Sequence, residues 1–181
     1  MLLEKDNSLV VLVDVQEKLA PYVMNADGMI ARCAWVLNLA KALNIPYLVC
    51  EQYPKGLGAT VPLLAPFKKT AMTLEKVRFS CAKEASFINH LEKSHKKQII
   101  FIGIEAHVCV LQSAIECLEA DYDVFVVVDA VSSRHDLDMK YGLKRMKQLG
   151  VQLVTAEMLF FEWMREAGTD AFKQLSKDFM K

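Results

Sequence analysis

The sequence has no surplus of charge of either sign: over its 181 residues, 22 basic side chains balance 22 acidic ones, for a formal net charge of +0. Nothing therefore draws the chain as a whole toward nucleic acid or an anionic membrane, and neither partner is expected. The short mixed run EKSHKK reads as a solvated helix end. Long apolar stretches are also missing, since no run reaches the roughly 18 residues of a membrane span. The start, MLLEKDNSLVV, lacks a basic segment ahead of a long apolar one, so a cytoplasmic location is the expectation. The five cysteines (Cys33, Cys50, Cys81, Cys109 and Cys117) form neither a C-x-x-C nor a Cys/His pair at zinc-finger spacing. They read as reduced thiols rather than a disulfide framework. A phosphate loop is missing too, because the GLG at 56–58 has neither the spacing nor the helix of a nucleotide fingerprint. No repeat, low-complexity segment or linker divides the chain, which is expected to form one domain over residues 1–181 with a full core.

What the sequence does have is apolar residues, 53% of the total against 24% charged. That surplus suggests a buried subunit interface and hence a homo-oligomer. The apolar residues fall into recurring runs: SLVVLVD ending at Asp14, IPYLVCE at Glu51, AMTLEK at Lys76, QIIFIG at Gly103, DVFVVVD at Asp129 and VQLVT at Thr155. Most are apolar throughout rather than alternating, as suits strands covered on both faces of a parallel sheet. AMTLEK is the weakest of them. Between the runs lie segments of helical period, such as GMIARCAWVLNLAKALN with a stripe through Ile30, Cys33, Ala34, Leu37 and Leu39 to Ala40, ended by Asn44 and Pro46. The stretch LDMKYGLKRMKQLG closes on Gly150. The tail carries Phe160, Phe161, Trp163 and Met164 together, which fits core packing better than an interface. The pattern predicts an α/β three-layer sandwich, Rossmann-like, with a six-stranded parallel sheet, for which the common doubly wound order 3-2-1-4-5-6 is the expectation.

In such a sheet ligands bind beyond the carboxyl ends of the strands, where the strand order reverses between strands 1 and 4. Strand 1 ends at Asp14, and strand 4 runs through GIEAHVCV into Cys109 at the start of the next helix. A carboxylate and a thiol therefore meet at the expected crevice. A thiol at a helix N-terminus gains thiolate character from the macrodipole. Lys76, closing strand 3, adds an ammonium that favours the thiolate, and the carboxylate can take the thiol proton. Each residue alone has an ordinary structural explanation: a capping aspartate, a snorkelling lysine, a buried thiol.

Four segments, VLVDVQEKL, EQYPKGLGATVPLL, EKVRFSC and GIEAHVCVLQSAIECL, resemble in order and spacing the isochorismatase-like cysteine hydrolases over about residues 8 to 165. Within that family the likeness is to the isochorismatase domain-containing proteins that carry the EQYPKGLG segment. The resemblance implies Cys109 as nucleophile, Asp14 as general base and Lys76 as the third member of a triad. It also implies a cis peptide between Ile104 and Glu105, which would aim the backbone N–H groups of Glu105 and Cys109 at an oxyanion. The reaction implied is cleavage of a small amide or related carbonyl compound through a thioester, without metal or cofactor. Nicotinamidases of this family hold a metal with an Asp-x-His and a further His after strand 2, where this chain has Glu51, Gln52 and Tyr53.

Gln16, Tyr53, Phe79 and His107 are candidate substrate-binding residues, Gln16 by resemblance and the others as pocket walls. His107 is not expected to form a dyad with Cys109. Ser132 or Ser133 with Asp136 are helix-start signals, and His135 beside them reads as a capping residue. Cys81 and Cys117 read as packing thiols. Two other functions remain open at this point: vinyl-ether hydrolysis through Asp14, and a scaffold or interaction protein of low turnover.

Overall fold

The computed structural model describes residues 1–180. Six strands, β1 Ser8–Val13, β2 Tyr47–Gln52, β3 Met72–Lys76, β4 Gln98–Ile104, β5 Asp123–Ser132 and β6 Gln152–Val154, form one sheet in the order β3-β2-β1-β4-β5-β6. Every neighbouring pair is parallel. This is the predicted architecture, including the weak strand β3. The connecting helices are α1 Ala26–Ala42, α2 Pro54–Leu57, α3 Ala85–Ser94, α4 Leu111–Glu119, α5 Asp136–Leu149, α6 Ala156–Met164 and α7 Asp170–Phe179.

The pleat sorts the strand residues between two cores. Val10, Leu12, Ile100, Ile102 and Ile104 pack with α1 and α6, and Leu9, Val11, Val13, Ile99 and Phe101 pack with α3 and α4. Each such side chain, removed wholly from water, contributes about 1.5–3 kcal/mol of burial free energy. That double coverage is why the strands read as unbroken apolar runs. Phe160 and Trp163 join the first core, while Phe161 is 48% exposed. The aromatic tail cluster is therefore split, with Phe161 meeting the α7 residue Phe172 at a centroid distance of 6.2 Å.

Two local departures from the expected pattern bear on the site. Strand β5 continues past Asp129 to Ser132, because its register against β4 jumps from Phe101↔Val126 to Gly103↔Val131. The hydroxyls of Ser132 and Ser133 do not cap α5. Ser132 Oγ donates to the Met24 carbonyl at 2.6 Å, and Ser133 Oγ lies 2.9 Å from His107 Nδ1. His135 occupies the N-cap position without a side-chain bond, and Asp136 and Asp138 stand in the first turn, where the helix dipole favours them. Tertiary partners captured hydroxyls that local preference assigned to a cap.

Candidate active site

Three strand ends build the site. Beyond β1 the backbone of Asp14 turns into the left-handed region (φ 52°), and its N–H donates to the Cys50 carbonyl of β2 at 3.1 Å. Its neighbour on the other side is β4, where Gly103 has φ 108° and a Cβ would stand 2.2 Å from the Val13 carbonyl oxygen. Only glycine permits that approach. The end of β3 supplies Lys76, whose Nζ donates to Asp14 Oδ2 at 2.7 Å, to Gln52 Oε1 at 2.7 Å and to the carbonyl of Phe79 at 2.9 Å. The Arg78 carbonyl is a further, longer acceptor at 3.3 Å. Cys109 lies on a π-helical turn, Ala106–Val110, that leads from β4 into α4. The three residues of the expected triad thus converge at the switch between β1 and β4.

The electrostatics differ in one respect from the sequence expectation. Burial pushes the Asp14 carboxyl up, outweighing the opposing pull of Lys76 and of the Cys109 thiol. Burial also opposes the charge on Lys76, but Asp14 and the nearby thiols prevail and hold it above the ordinary lysine range. The Cys109 thiol is pushed well up, by burial first and then by Asp14, with Lys76 only partly offsetting them. The resting thiol is therefore protonated rather than a ready thiolate. The ammonium that was expected to activate it is committed to Asp14 at 2.7 Å. Asp14 Oδ1 remains buried with no hydrogen-bond partner among the described residues, and the Asp14 carboxyl as a whole lies close enough to the Cys109 thiol to be influenced by it.

The peptide between Ile104 and Glu105 is cis, as the resemblance implied. The Glu105 carbonyl accepts from the N–H groups of Val108 at 3.1 Å and Val110 at 3.2 Å, on either side of Cys109. Its carboxylate is 7% exposed and takes a forked contact from Arg134, with Nε at 3.3 Å and Nη2 at 3.1 Å from Oε1. Helix α5 presses on this turn through Gly142, where a Cβ would meet His107 Cα and Cβ at 3.0 Å.

The other candidates separate. Gln16 is wholly buried, and its amide is spent on backbone: Nε2 donates to the carbonyls of Gln52 (3.0 Å) and Gly58 (2.7 Å), and Oε1 accepts from the Gln52 N–H (2.7 Å). It staples the exit of β1 to β2 and the following loop rather than opening onto a pocket. His107 engages Ser133 and not the thiol. Tyr53 and Phe79 are each 54% exposed, so they are walls open to solvent in the single chain. A hollow of about 350 Å³ lies beside β3, bordered by Tyr53, Pro54, Lys55, Glu75, Lys76, Val77 and Glu84. Lys76 thus reaches its wall, whereas neither Asp14 nor Cys109 borders it. Cys50 and Cys81 touch, Sγ to Sγ at 3.3 Å, as packing thiols.

The residues at the end of β2 do not fit a metal centre. Glu51 Oε1 accepts from Thr60 N–H (2.7 Å), Thr60 Oγ1 (2.6 Å) and Lys68 Nζ (2.7 Å). Among the described residues no group of three or more His, Cys, Asp or Glu side chains could hold an ion. Sequence reasoning missed two members of the site. Gln52 links Lys76 to the Val77 carbonyl, to which its Nε2 donates at 2.8 Å, and its place at a strand end was a usable signal. Arg134 comes from beyond β5 and had none.

The isochorismatase domain family matches residues 8–158. Isochorismatase family protein 1B of Dictyostelium discoideum is 37% identical over 176 residues, covering 94% of this chain and 84% of the relative. Among solved structures, the MAR1 ribonuclease of Caenorhabditis elegans superposes with a TM-score of 0.91 at 35% identity, covering 100% of this chain and 93% of that one. The YcaC gene product of Escherichia coli, described as an octameric hydrolase of unknown specificity, gives 0.91 at 28% identity, covering 99% and 91%. A cis turn carrying a cysteine beside a buried Asp–Lys pair, on a sheet of this order and with these matches, makes the chain a member of the isochorismatase family of hydrolases.

Proposed function

We propose that the protein is a metal-independent cysteine hydrolase that cleaves a small amide or related carbonyl compound. The observation that carries this reading is the buried Asp14 carboxyl near the Cys109 thiol, its Oδ1 without a partner among the described residues and its Oδ2 held by Lys76. A carboxylate made more basic by burial is a better proton acceptor than an ordinary aspartate. On substrate binding, Asp14 Oδ1 takes the thiol proton as sulfur attacks the carbonyl carbon. The Glu105 and Cys109 N–H groups stabilise the oxyanion. Asp14 then returns its proton to the departing nitrogen, leaving a thioester. A water activated by Asp14 attacks the thioester, releasing the acid and restoring the thiol.

The chain also reads as a homo-oligomer whose neighbouring copy completes the pocket. Tyr53, Val77 (72% exposed) and Phe79 are unusually open for apolar side chains at the edge of a site, and the E. coli neighbour is octameric. The substrate is small, and the cytoplasm remains the expected location.

The test is turnover of a panel of small amides by the wild type and by Cys109→Ala. Loss of activity by about 10²-fold or more on removing the thiol supports covalent catalysis. Activity that survives, or cleavage of vinyl ethers independent of Cys109, moves the chemistry to Asp14 alone. Thiol-dependent cleavage of an RNA strand with amides untouched would replace the substrate class.

A further inference from the structure

Two buried side-chain oxygens lack a hydrogen-bond partner among the described residues, Asp14 Oδ1 and Glu105 Oε2. Both belong to residues of the same site. The first has a use in the proposed reaction, as acceptor of the thiol proton. The second has none, although a buried carboxylate oxygen without a donor is costly enough to call for an explanation. Arg134, its own side chain 56% exposed, fixes Oε1, and Oε2 is left buried with no donor among the described residues. Glu105 shares a single turn with the nucleophile, since its carbonyl is bonded by the residues flanking Cys109. A carboxylate two methylenes from the backbone that donates to the oxyanion lies within reach of whatever is attached to the reacting carbonyl.

We propose that Glu105 is a substrate-selecting residue, whose buried Oε2 accepts an N–H carried by the substrate next to its reacting carbonyl. The inference rests on the cysteine-hydrolase reading and narrows it. The substrates are neutral or cationic compounds with an N–H beside the carbonyl, such as primary amides and ureas. Carboxylate anions of the same shape are rejected, because a second negative charge would meet Glu105 without a compensating donor. Arg134 is a positioning residue, holding one oxygen so that the other is left for the substrate, and its charge tempers the rejection of anions.

The experiment measures alkylation of Cys109 in the full chain by iodoacetamide and by iodoacetate, followed by peptide mass spectrometry. The two reagents match in size and differ in an NH₂ against an anionic oxygen. Rates are normalised to free cysteine under the same conditions. Wild type is expected to favour the amide by about tenfold beyond the free thiol, the scale of one unit charge at close range. Glu105→Gln should erase most of that preference. Arg134→Met, which removes a half-exposed cation and keeps the carboxylate, should sharpen it, and serves if Glu105→Gln does not fold. A wild-type ratio equal to that of free cysteine, or a ratio unmoved by either substitution, overturns the assignment while leaving the hydrolase reading intact. A Cys109 that labels no faster than the buried Cys117 with either reagent overturns both.

Discussion

Lys76 Nζ stands 2.7 Å from Asp14 Oδ2, with both side chains at 0% exposure. Each charge is tolerated in the interior because the other is there. Lys76→Met should therefore destabilise the fold by about 3–5 kcal/mol, since it strands a buried carboxylate. The double variant Lys76→Met, Asp14→Leu should recover much of that loss. Chemical denaturation of the three proteins measures it, and a double variant no more stable than the single one would refute the argument.

The thiol offers a prediction with a sign. Asp14 raises the Cys109 pKa and Lys76 lowers it. Asp14→Asn should thus increase the thiolate fraction at a given alkaline pH while lowering turnover by about 10²–10⁴-fold through loss of the base. Lys76→Met should decrease the thiolate fraction. Ultraviolet thiolate titration against a Cys109→Ser reference reads both, and movement in the opposite direction would show that the thiol does not sense the pair.

Turnover should rise as pH climbs through the carboxyl pKa of Asp14. That pKa is displaced upward by burial, so the acid limb lies at higher pH than for an ordinary aspartate near about 3.9. The pH dependence of kcat on the best amide found checks it, with Asp14→Glu expected to shift the limb rather than remove it.

Glu51 governs stability on the acid side. Burial pushes its pKa up, but the bonds from Lys68 and Thr60 outweigh burial and hold it below the ordinary range. A depressed folded-state pKa means a stabilising contribution that is complete above the unfolded value, about 4.3, and is lost as pH falls through the folded one. Glu51→Gln should lower Tm at neutral pH and flatten its fall on acidification. Parallel Tm-against-pH curves for the two proteins would contradict this.

Gly103→Ala should cost about 3 kcal/mol or more, because φ of 108° is joined to a Cβ only 2.2 Å from the Val13 carbonyl. Denaturation and soluble yield measure the effect, and a variant as stable as wild type would mean that β1 and β4 can separate without loss.

The parallel sheet and the strand-end positions of Asp14 and Lys76 were legible because their signals are local. Unbroken apolar runs such as QIIFI mark doubly covered strands, and strand ends in a parallel sheet necessarily share one edge. Lys76 shows where such reading stops. Its position at a strand end was visible, but its four acceptors come from three separate parts of the chain, Asp14, Gln52 and the turn at Arg78 and Phe79. Residue identity says that a lysine can pair; only the packed arrangement says which partner has taken it.

By itself the sequence determined the α/β class and placed Asp14, Lys76 and Cys109 at the ends of strands 1, 3 and 4, because apolar period and strand-end position act over a few residues. The tertiary structure decided what those groups are. Burial displaces the pKa values of the Cys109 thiol and the Asp14 carboxyl upward, with Lys76 opposing it at both. Burial and pairing also turned Gln16 into a staple and left one oxygen of Glu105 without a donor among the described residues. Desolvation and hydrogen-bond competition depend on all the atoms within a few ångströms, and those neighbours are distant in the chain.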